Sequence, residues 1–532
     1  AEALQPAPQQ ETEEPSAPAP PPALPAEPPP AVAEASPPVE PTPDAALAAA
    51  QPAAPPSAVP VGPAPPPTPP AQPRVPFGDA LAIAAPPSVP AQPAAQPPSQ
   101  PPFTPAPTVD PGEVSPFDAP PAIPTVAQPP ADAIGFVGSD GVLLRRVVED
   151  GQASWAFFPA NAGFATQEDL LAPAGFHPDV TIRGVRLRLL PGTRATVSRD
   201  PDGTPRIAVA FGRVVARASQ ADARLAVTAD GLSGTITAGL TEPVGISVEL
   251  ERFAGTDPAE EPARVKAGIV AASGGIVWRQ AAGSNAMLAG IAAEGMLESR
   301  MAVIWDSLRP DAATVERLPT LPDWITGAPQ PSRLEKSAAE ALAAKVAAVA
   351  PLDRALRELA ADRRVENRLL AVTTLALLGE YDDLVELLSA DAPGRRLEGR
   401  QWLTLEVDTV PLALSRGERS AGRLAEAFED RGPHGKGEEL YRMARGFTNE
   451  ELAAGADAML VAALDDEDLV VRRYAIKCLC DIVQPSATDR LRYRPDGLAD
   501  LRREGVNWWR AQLEKGLVRR VAARPVAAAE AP

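Results

Sequence analysis

Hydrophobic and polar residues follow two different periods along this chain, and one long segment follows neither. Between Ala133 and Arg279 the period is two. In Val180–Leu190, Val185, Leu187 and Leu189 face one way while Arg186 and Arg188 face the other. Ile207–Phe211, Val214–Arg217, Leu225–Ala229, Thr235–Ala238 and Val244–Leu250 alternate similarly, and Gly268–Ala272 with Gly275–Arg279 reads as a last hairpin. Asp140-Gly141, Asp150-Gly151, Pro191-Gly192, Asp202-Gly203, Asp230-Gly231 and Gly274-Gly275 punctuate these runs as turns. Short strands at this spacing, with no helices between them, predict an all-β domain over 133–280. A sandwich, a jelly roll or a β-helix-like stack would each fit. One stretch interrupts the alternation. Phe157-Phe158-Pro159, Thr166–Leu171 and Pro173–Phe176 read as a loop carrying a short capped helix, which either lines a groove or plugs one end of the domain with its aromatics.

After Ala281 the period becomes helical. Asn285–Ser299 and Met301–Leu308 are rich in Ala, Met and Leu and predict bridging helices, with Trp305 and Trp324 as anchors. Pro319, Pro322, Pro329 and Pro331 close this 281–332 connection. Helical patterns then cover Leu334–Val349, Leu352–Ala361, Val365–Leu378, Tyr381–Leu388, Gly399–Leu414, Ser420–Phe428, Gly437–Ala444, Asn449–Leu464, Leu469–Ile482 and Leu498–Lys515. Arg368, Ala371 and Leu375 repeat the spacing of Arg472, Ala475 and Leu479, and each set follows an acidic loop, at Asp362 and at Asp465–Asp468. The pattern resembles the second helix of HEAT-like repeats. That resemblance implies a capping acid, an Arg bracing the neighbouring turn and an Ala allowing close helix approach. An irregular α-solenoid or bundle is expected over 333–517, with a disordered tail at 518–532.

Residues 1–132 carry no period. Runs such as Pro20–Pro22, Pro28–Pro30 and Pro65–Pro67 remove amide donors and favour polyproline angles. Few side chains there offset the entropy of ordering a core, so a disordered Pro/Ala-rich linker is expected. The one apolar patch, Ala80–Ala85, reads as incidental. Such a tether implies an anchor or neighbour at one end and a working module at the other. The net charge of −19 argues against a nucleic-acid partner, and much of the acidity lies in the linker, where Arg74 is the sole base. No window reaches the length of a membrane span, so any anchor is expected upstream. The start, Ala1-Glu2-Ala3, suits either a processed N-terminus or a fragment. Cys478 and Cys480, the only cysteines, stand two apart on a predicted helix and point to different faces, as core residues rather than a disulfide.

A more specific resemblance lies at the C-terminal end. Leu460–Ala475, containing Val471-Arg472, precedes Tyr493-Arg494-Pro495-Asp496 and Trp508-Trp509-Arg510, and Gly446-Phe447-Thr448-Asn449 stands ahead of Leu452. These strings resemble the C-terminal helical module of uncharacterised planctomycete-type envelope proteins. The family pattern carries a His or acidic pair before the Val-Arg. Only acids stand here, which disables a metal reading. In the β region Gly212-Arg213-Val214-Val215 resembles a strand entry of FecR-like extracytoplasmic domains. Both resemblances imply noncatalytic modules that sense, scaffold or bind, joined through Pro-rich linkers to a membrane-anchored or kinase-like part.

The residues themselves point away from catalysis. His177 and His434 are the only histidines, which leaves little for His-based nucleophilic chemistry or a multi-His metal site. His177 reads as a turn residue. Gly432–Gly437 contains Lys436 but lacks the Gly-Lys-Ser/Thr ending of a phosphate loop, and reads as a flexible interhelical connection. Asp465–Asp468 lacks the alternation of a calcium loop and reads as a helix cap. Trp508 and Trp509 splay by about 100° on a helix. One ring can enter the core while the other joins Arg503 and Arg510 as the candidate partner-binding face; the alternative is that both rings cap the end of the helical domain. No catalytic, cofactor or metal residue is assigned. The expected function is a noncatalytic periplasmic or cell-envelope scaffold that binds a protein or an envelope polymer. Two alternatives remain: an extracytoplasmic sensor of a FecR-like, anti-sigma or kinase system, and a carbohydrate-binding or carbohydrate-active protein.

Overall fold

The computed structural model describes residues 133–519, except 140, 165, 166, 282–286, 289–293, 328–330 and 491. The expected linker over 1–132 and the tail from 520 lie outside the described residues. A sheet-rich region, from Gly135 to Arg317, precedes a helical region from Asp323 to Glu514.

Strand pairing gives two sheets that share one strand. The first runs Gly163–Phe164, Gly135–Val137, Asp179–Ile182, Val185–Leu189, the second half of Pro205–Ala218, Val244–Glu251, Arg264–Ala271, Met301–Asp306 and Ala312–Arg317. The second runs Gln152–Phe158, Leu143–Glu149, Glu168–Leu171, Arg194–Arg199, the first half of Pro205–Ala218, Leu225–Ala229, Leu232–Ala238, Ile276–Gln280 and Glu294–Leu297. Side chains from both sheets meet in one core, among them Val180, Leu187, Val214 and Ile246 from the first and Leu170, Val197, Ile207 and Trp278 from the second.

The shared strand bends at Gly212, whose φ is +96°. A Cβ there would stand 2.5 Å from Thr193 Cα, so no larger residue fits the turn. The buried Thr193 hydroxyl donates to Arg213 O and accepts from Arg213 N, both at 2.8 Å. It satisfies the backbone where the ladder changes sheet.

Several expectations need correction. Val180–Leu190 is two strands, turned at Arg183-Gly184, which take φ of +46° and +80°. The alternation across the second strand stands: Val185, Leu187 and Leu189 are buried and Arg186 and Arg188 exposed. Ile207–Phe211 and Val214–Arg217 are one strand. The short helix expected within Thr166–Leu171 is the strand Glu168–Leu171. The bridging helices expected over Asn285–Leu308 are, where described, strands joined by turns. Met301–Asp306, for example, is hydrogen-bonded between Arg264–Ala271 and Ala312–Arg317. Two available partners on either side favour extension for an apolar run that fits either period. Trp305 is buried in this sheet, its Nε1 donating to Pro310 O at 3.1 Å.

The helical region follows the sequence pattern closely, with Arg333–Ala348, Leu352–Ala360, Val365–Leu378, Asp382–Ser389, Glu418–Arg431, Gly437–Arg445, Leu469–Val483 and Ala499–Glu514 among its helices. A π-helical turn, Leu405–Thr409, interrupts the predicted Gly399–Leu414 helix ahead of Pro411, which has no amide to offer the preceding turn. The two arginines of the repeated motif act alike. Arg368 donates to the carbonyls of Asp362 and Arg363, and Arg472 to those of Asp466 and Glu467. Each is buried, and each precedes a fully buried Ala and Leu. The acidic loops bend rather than cap: Asp362 Oδ1 accepts from Arg364 N and Asp466 Oδ1 from Asp468 N, both at 2.8 Å. The Gly432–Gly437 connection is tied down by Lys436, which bridges Asp466 at 2.6 Å and Asp468 at 2.9 Å. At the expected tail, Val518 is buried and Arg519 is ion-paired with Asp457.

The two regions share a core. Val142, Leu144, Leu171, Phe176 and Phe211 of the sheet region belong to the same apolar cluster as Leu356, Leu375 and Leu414 of the helices. The amide of Gly255 also donates to Arg445 O at 3.0 Å. Among the described residues no helix is long and apolar enough to cross a membrane.

Candidate functional site

Where the two regions meet, they leave a cleft of about 900 Å3. One wall is the strand Gln152–Phe158. Among the described residues it pairs only with Leu143–Glu149, so its other edge has no strand beside it. Consecutive residues Ala153–Phe157 line the cleft, which places the strand's edge, rather than one face, along the opening. The opposite wall is made of helix ends: Val346 and Val349, Pro351–Asp353, Leu378 and Glu380, and the turn from Arg416 into Glu418–Arg431.

Six arginines border this space, Arg146, Arg194, Arg357, Arg416, Arg419 and Arg423, against three carboxylates, Glu149, Asp353 and Glu380. Arg194 is held by Asp169 through two bonds of 3.1 and 2.6 Å, and its guanidinium lies 5.4 Å from the Trp155 ring centre. Arg423 pairs with Glu380 at 2.9 Å. Arg146 stands 3.9 Å from Asp169, and Arg357 reaches Asp353, Glu380 and Asp383 only at 3.7 to 4.0 Å. Arg416 and Arg419 have no carboxylate in reach among the described residues.

Arg416 is the pivot. Its NH1 donates to Ala376 O and Leu377 O at 3.1 and 2.9 Å, the carbonyls at the C-terminal end of Val365–Leu378. Its guanidinium also stands 5.3 Å from the ring centre of Phe211 in the sheet region. Burial pulls this group below its ordinary value; nearby Tyr381 opposes that, while Arg194 and Arg423 add to it. Carbonyl dipoles satisfy two donor directions but do not neutralise the charge. The cleft therefore holds excess positive charge beside half-buried Trp155 and Phe157. Acidic side chains fit the arginines, and an extended backbone fits the open strand edge.

The predicted partner face lies elsewhere, on Ala499–Glu514. Trp509 is buried, and half-buried Trp508 meets it edge-on with ring centres 4.8 Å apart. Arg503 pairs with Asp500 at 3.2 Å on the surface, and Arg510 reaches Asn507 at 3.3 Å. None of these four borders the cleft. Phe158 and Phe176 are buried, whereas Phe157 is partly open to the cleft. Cys478 and Cys480 form no disulfide with each other, and the Cys478 thiol donates to Met443 O at 3.1 Å; burial pushes the Cys480 thiol up to about 11, with Arg490 opposing. Sequence reasoning missed the cleft. Its one local signal is the basic spacing Arg416, Arg419, Arg423; the other arginines come from distant strands and helices. No protein-family model, curated protein or solved structure matches this chain.

Proposed function

We propose that this protein is a noncatalytic recognition module of the cell envelope, which captures an extended acidic segment of a partner protein in the cleft between its two regions. In this reading a sandwich-like sheet region supplies the open strand edge and a solenoid-like helical region supplies the arginines. The observation that carries it is the pairing of a strand edge with no neighbour among the described residues with six arginines, two of which meet no carboxylate among those residues. Backbone bonds along the edge give affinity without sequence demands, and the arginines select acidic side chains. The Pro-rich composition of residues 1–132 supports display of such a module at a distance, at roughly 3 Å per residue where polyproline-like.

Fluorescence anisotropy tests this with a labelled peptide of alternating Glu and Val, the Lys–Val equivalent, and polygalacturonate as competitor. Saturable, salt-sensitive binding of the Glu–Val peptide alone is expected. Arg419→Glu combined with Arg423→Glu should weaken it by about tenfold or more, since both side chains are exposed and their loss leaves the fold intact. Binding that ignores the double variant would refute the cleft. Binding of polygalacturonate but not peptide would replace the protein partner with an anionic polymer.

A further inference from the structure

A second concave site, sharing no lining residue with the cleft, lies on the outer face of the first sheet. It measures about 480 Å3, the size of a small-molecule site. Cross-strand register builds it. Asp179 stands opposite Arg188, Arg188 opposite Val215, and Val215 opposite Gly245; in the next row Arg186 stands opposite Arg217. Val215 and Leu190 line the space as apolar surface between the arginines.

The short helix Asp323–Thr326 supplies the far wall. It can approach because Gly245 has no side chain: a Cβ there would stand 2.5 Å from Ile325 Cδ1 and 2.6 Å from the Trp324 ring. Arg213, which pairs with Glu249 at 2.7 Å, lies 5.8 Å from the Trp324 ring centre and steadies it from outside.

The charges do not balance. Asp179, nearly buried, accepts from both Arg186 and Arg188. Arg217 donates through Nε to Thr241 O at 2.9 Å and has no carboxylate partner among the described residues. His177 also faces the space; burial lowers its pKa, Arg188 adds to this and Asp179 opposes. Three guanidiniums thus face one carboxylate across a pocket with apolar walls.

We infer that this groove binds a small organic carboxylate with an apolar body, its carboxylate held by Arg217 with Arg186 and Arg188, and its body lying between Val215, Leu190 and the Trp324–Ile325 wall. A guanidinium fork matches a planar carboxylate in two bonds. An inorganic anion would leave the apolar walls uncovered, and a neutral apolar molecule would leave the guanidinium without a counter-charge.

Calorimetric titration of the full chain with 4-phenylbutyrate tests the inference, with 4-phenylbutyramide and inorganic phosphate as controls. Saturable binding of the carboxylate is expected, at least tenfold tighter than either control. Arg217→Gln should abolish that preference without shifting the melting temperature, because Arg217 is exposed. Trp324→Ala should weaken carboxylate and amide alike. Arg419→Glu with Arg423→Glu should change nothing here, so this site and the cleft succeed or fail separately. Equal binding of the amide, equal binding of phosphate, absence of saturable heat, or an unchanged Arg217→Gln titration would each overturn the assignment.

Discussion

The sheet-rich and helical regions spend their arginines differently. In the sheets, arginines pair with carboxylates across strands: Arg186 and Arg188 with Asp179, Arg194 with Asp169, Arg206 with Asp200, and Arg264 with Asp306. In the helical region the buried arginines go to backbone carbonyls. Arg368 and Arg472 reach the loops before their own helices, Arg473 reaches Leu397 O at 2.9 Å, and Arg416 caps Val365–Leu378. The reason lies in the backbone. A sheet satisfies its own amides and carbonyls through the ladder, so most charged side chains on its outer face find one another; Arg217, which donates to Thr241 O, is an exception. Helix ends and interhelical loops leave carbonyls unpaired, and a buried guanidinium fits them. The cleft lies where the two habits meet, and there the supply of carboxylates runs short.

This contrast can be broken most severely at the strand that both sheets share. Gly212→Val should cost about 3 kcal/mol or more, through a forced positive φ and collision with Thr193. Urea denaturation measures it, and a cost below that of an ordinary surface change would show that the bend is not obligatory.

Arg472→Met is expected to cost about 2–3 kcal/mol, because three carbonyls of Asp466, Glu467 and Pro495 lose a buried donor. Arg206→Met, which breaks a partly exposed pair with Asp200, should cost no more than about 1 kcal/mol. Equal costs in the same denaturation series would erase the distinction between the regions.

The smallest effect sharpens the comparison through pH. The hydrogen bond from Arg264 holds the Asp306 carboxyl below its ordinary value, against an opposing effect of burial. A depressed folded value means that the pair adds stability above the unfolded value, near 3.8, and loses it as pH falls through the lower folded value. The cost of Arg264→Met should therefore shrink as pH drops from 4 toward 2, whereas that of Arg472→Met should not, since carbonyls do not titrate in that range. Parallel stability curves for the two variants over this interval would contradict the assignment of their partners.

Local pattern made much of this architecture legible. The helix over Val365–Leu378 appears with its predicted limits, and the shared spacing of Arg368 and Arg472 foretold two side chains with the same bonds. Such features depend on residues a few positions apart, where helical period and turn chemistry act directly. Trp508-Trp509 divides in the way its angular spacing allows, one ring buried and the other half-open.

Tertiary partners decided the rest. Met301–Asp306 has a composition that suits a helix, yet two neighbouring strands claim its backbone. Pro205–Ala218 reads as two strands and is one, because Gly212 and Thr193 together carry the ladder from sheet to sheet. The cleft was the least visible feature of all. Its arginines are scattered from Arg146 to Arg423, and no periodicity joins residues that meet only when the helices dock on the sheet. What the amino-acid order determined by itself was each element whose stabilising contacts are local, together with the alternation that tells inward from outward. What only the folded chain decided was which polar groups came to face one another, since the free energy of a charge depends on partners that the local sequence does not name.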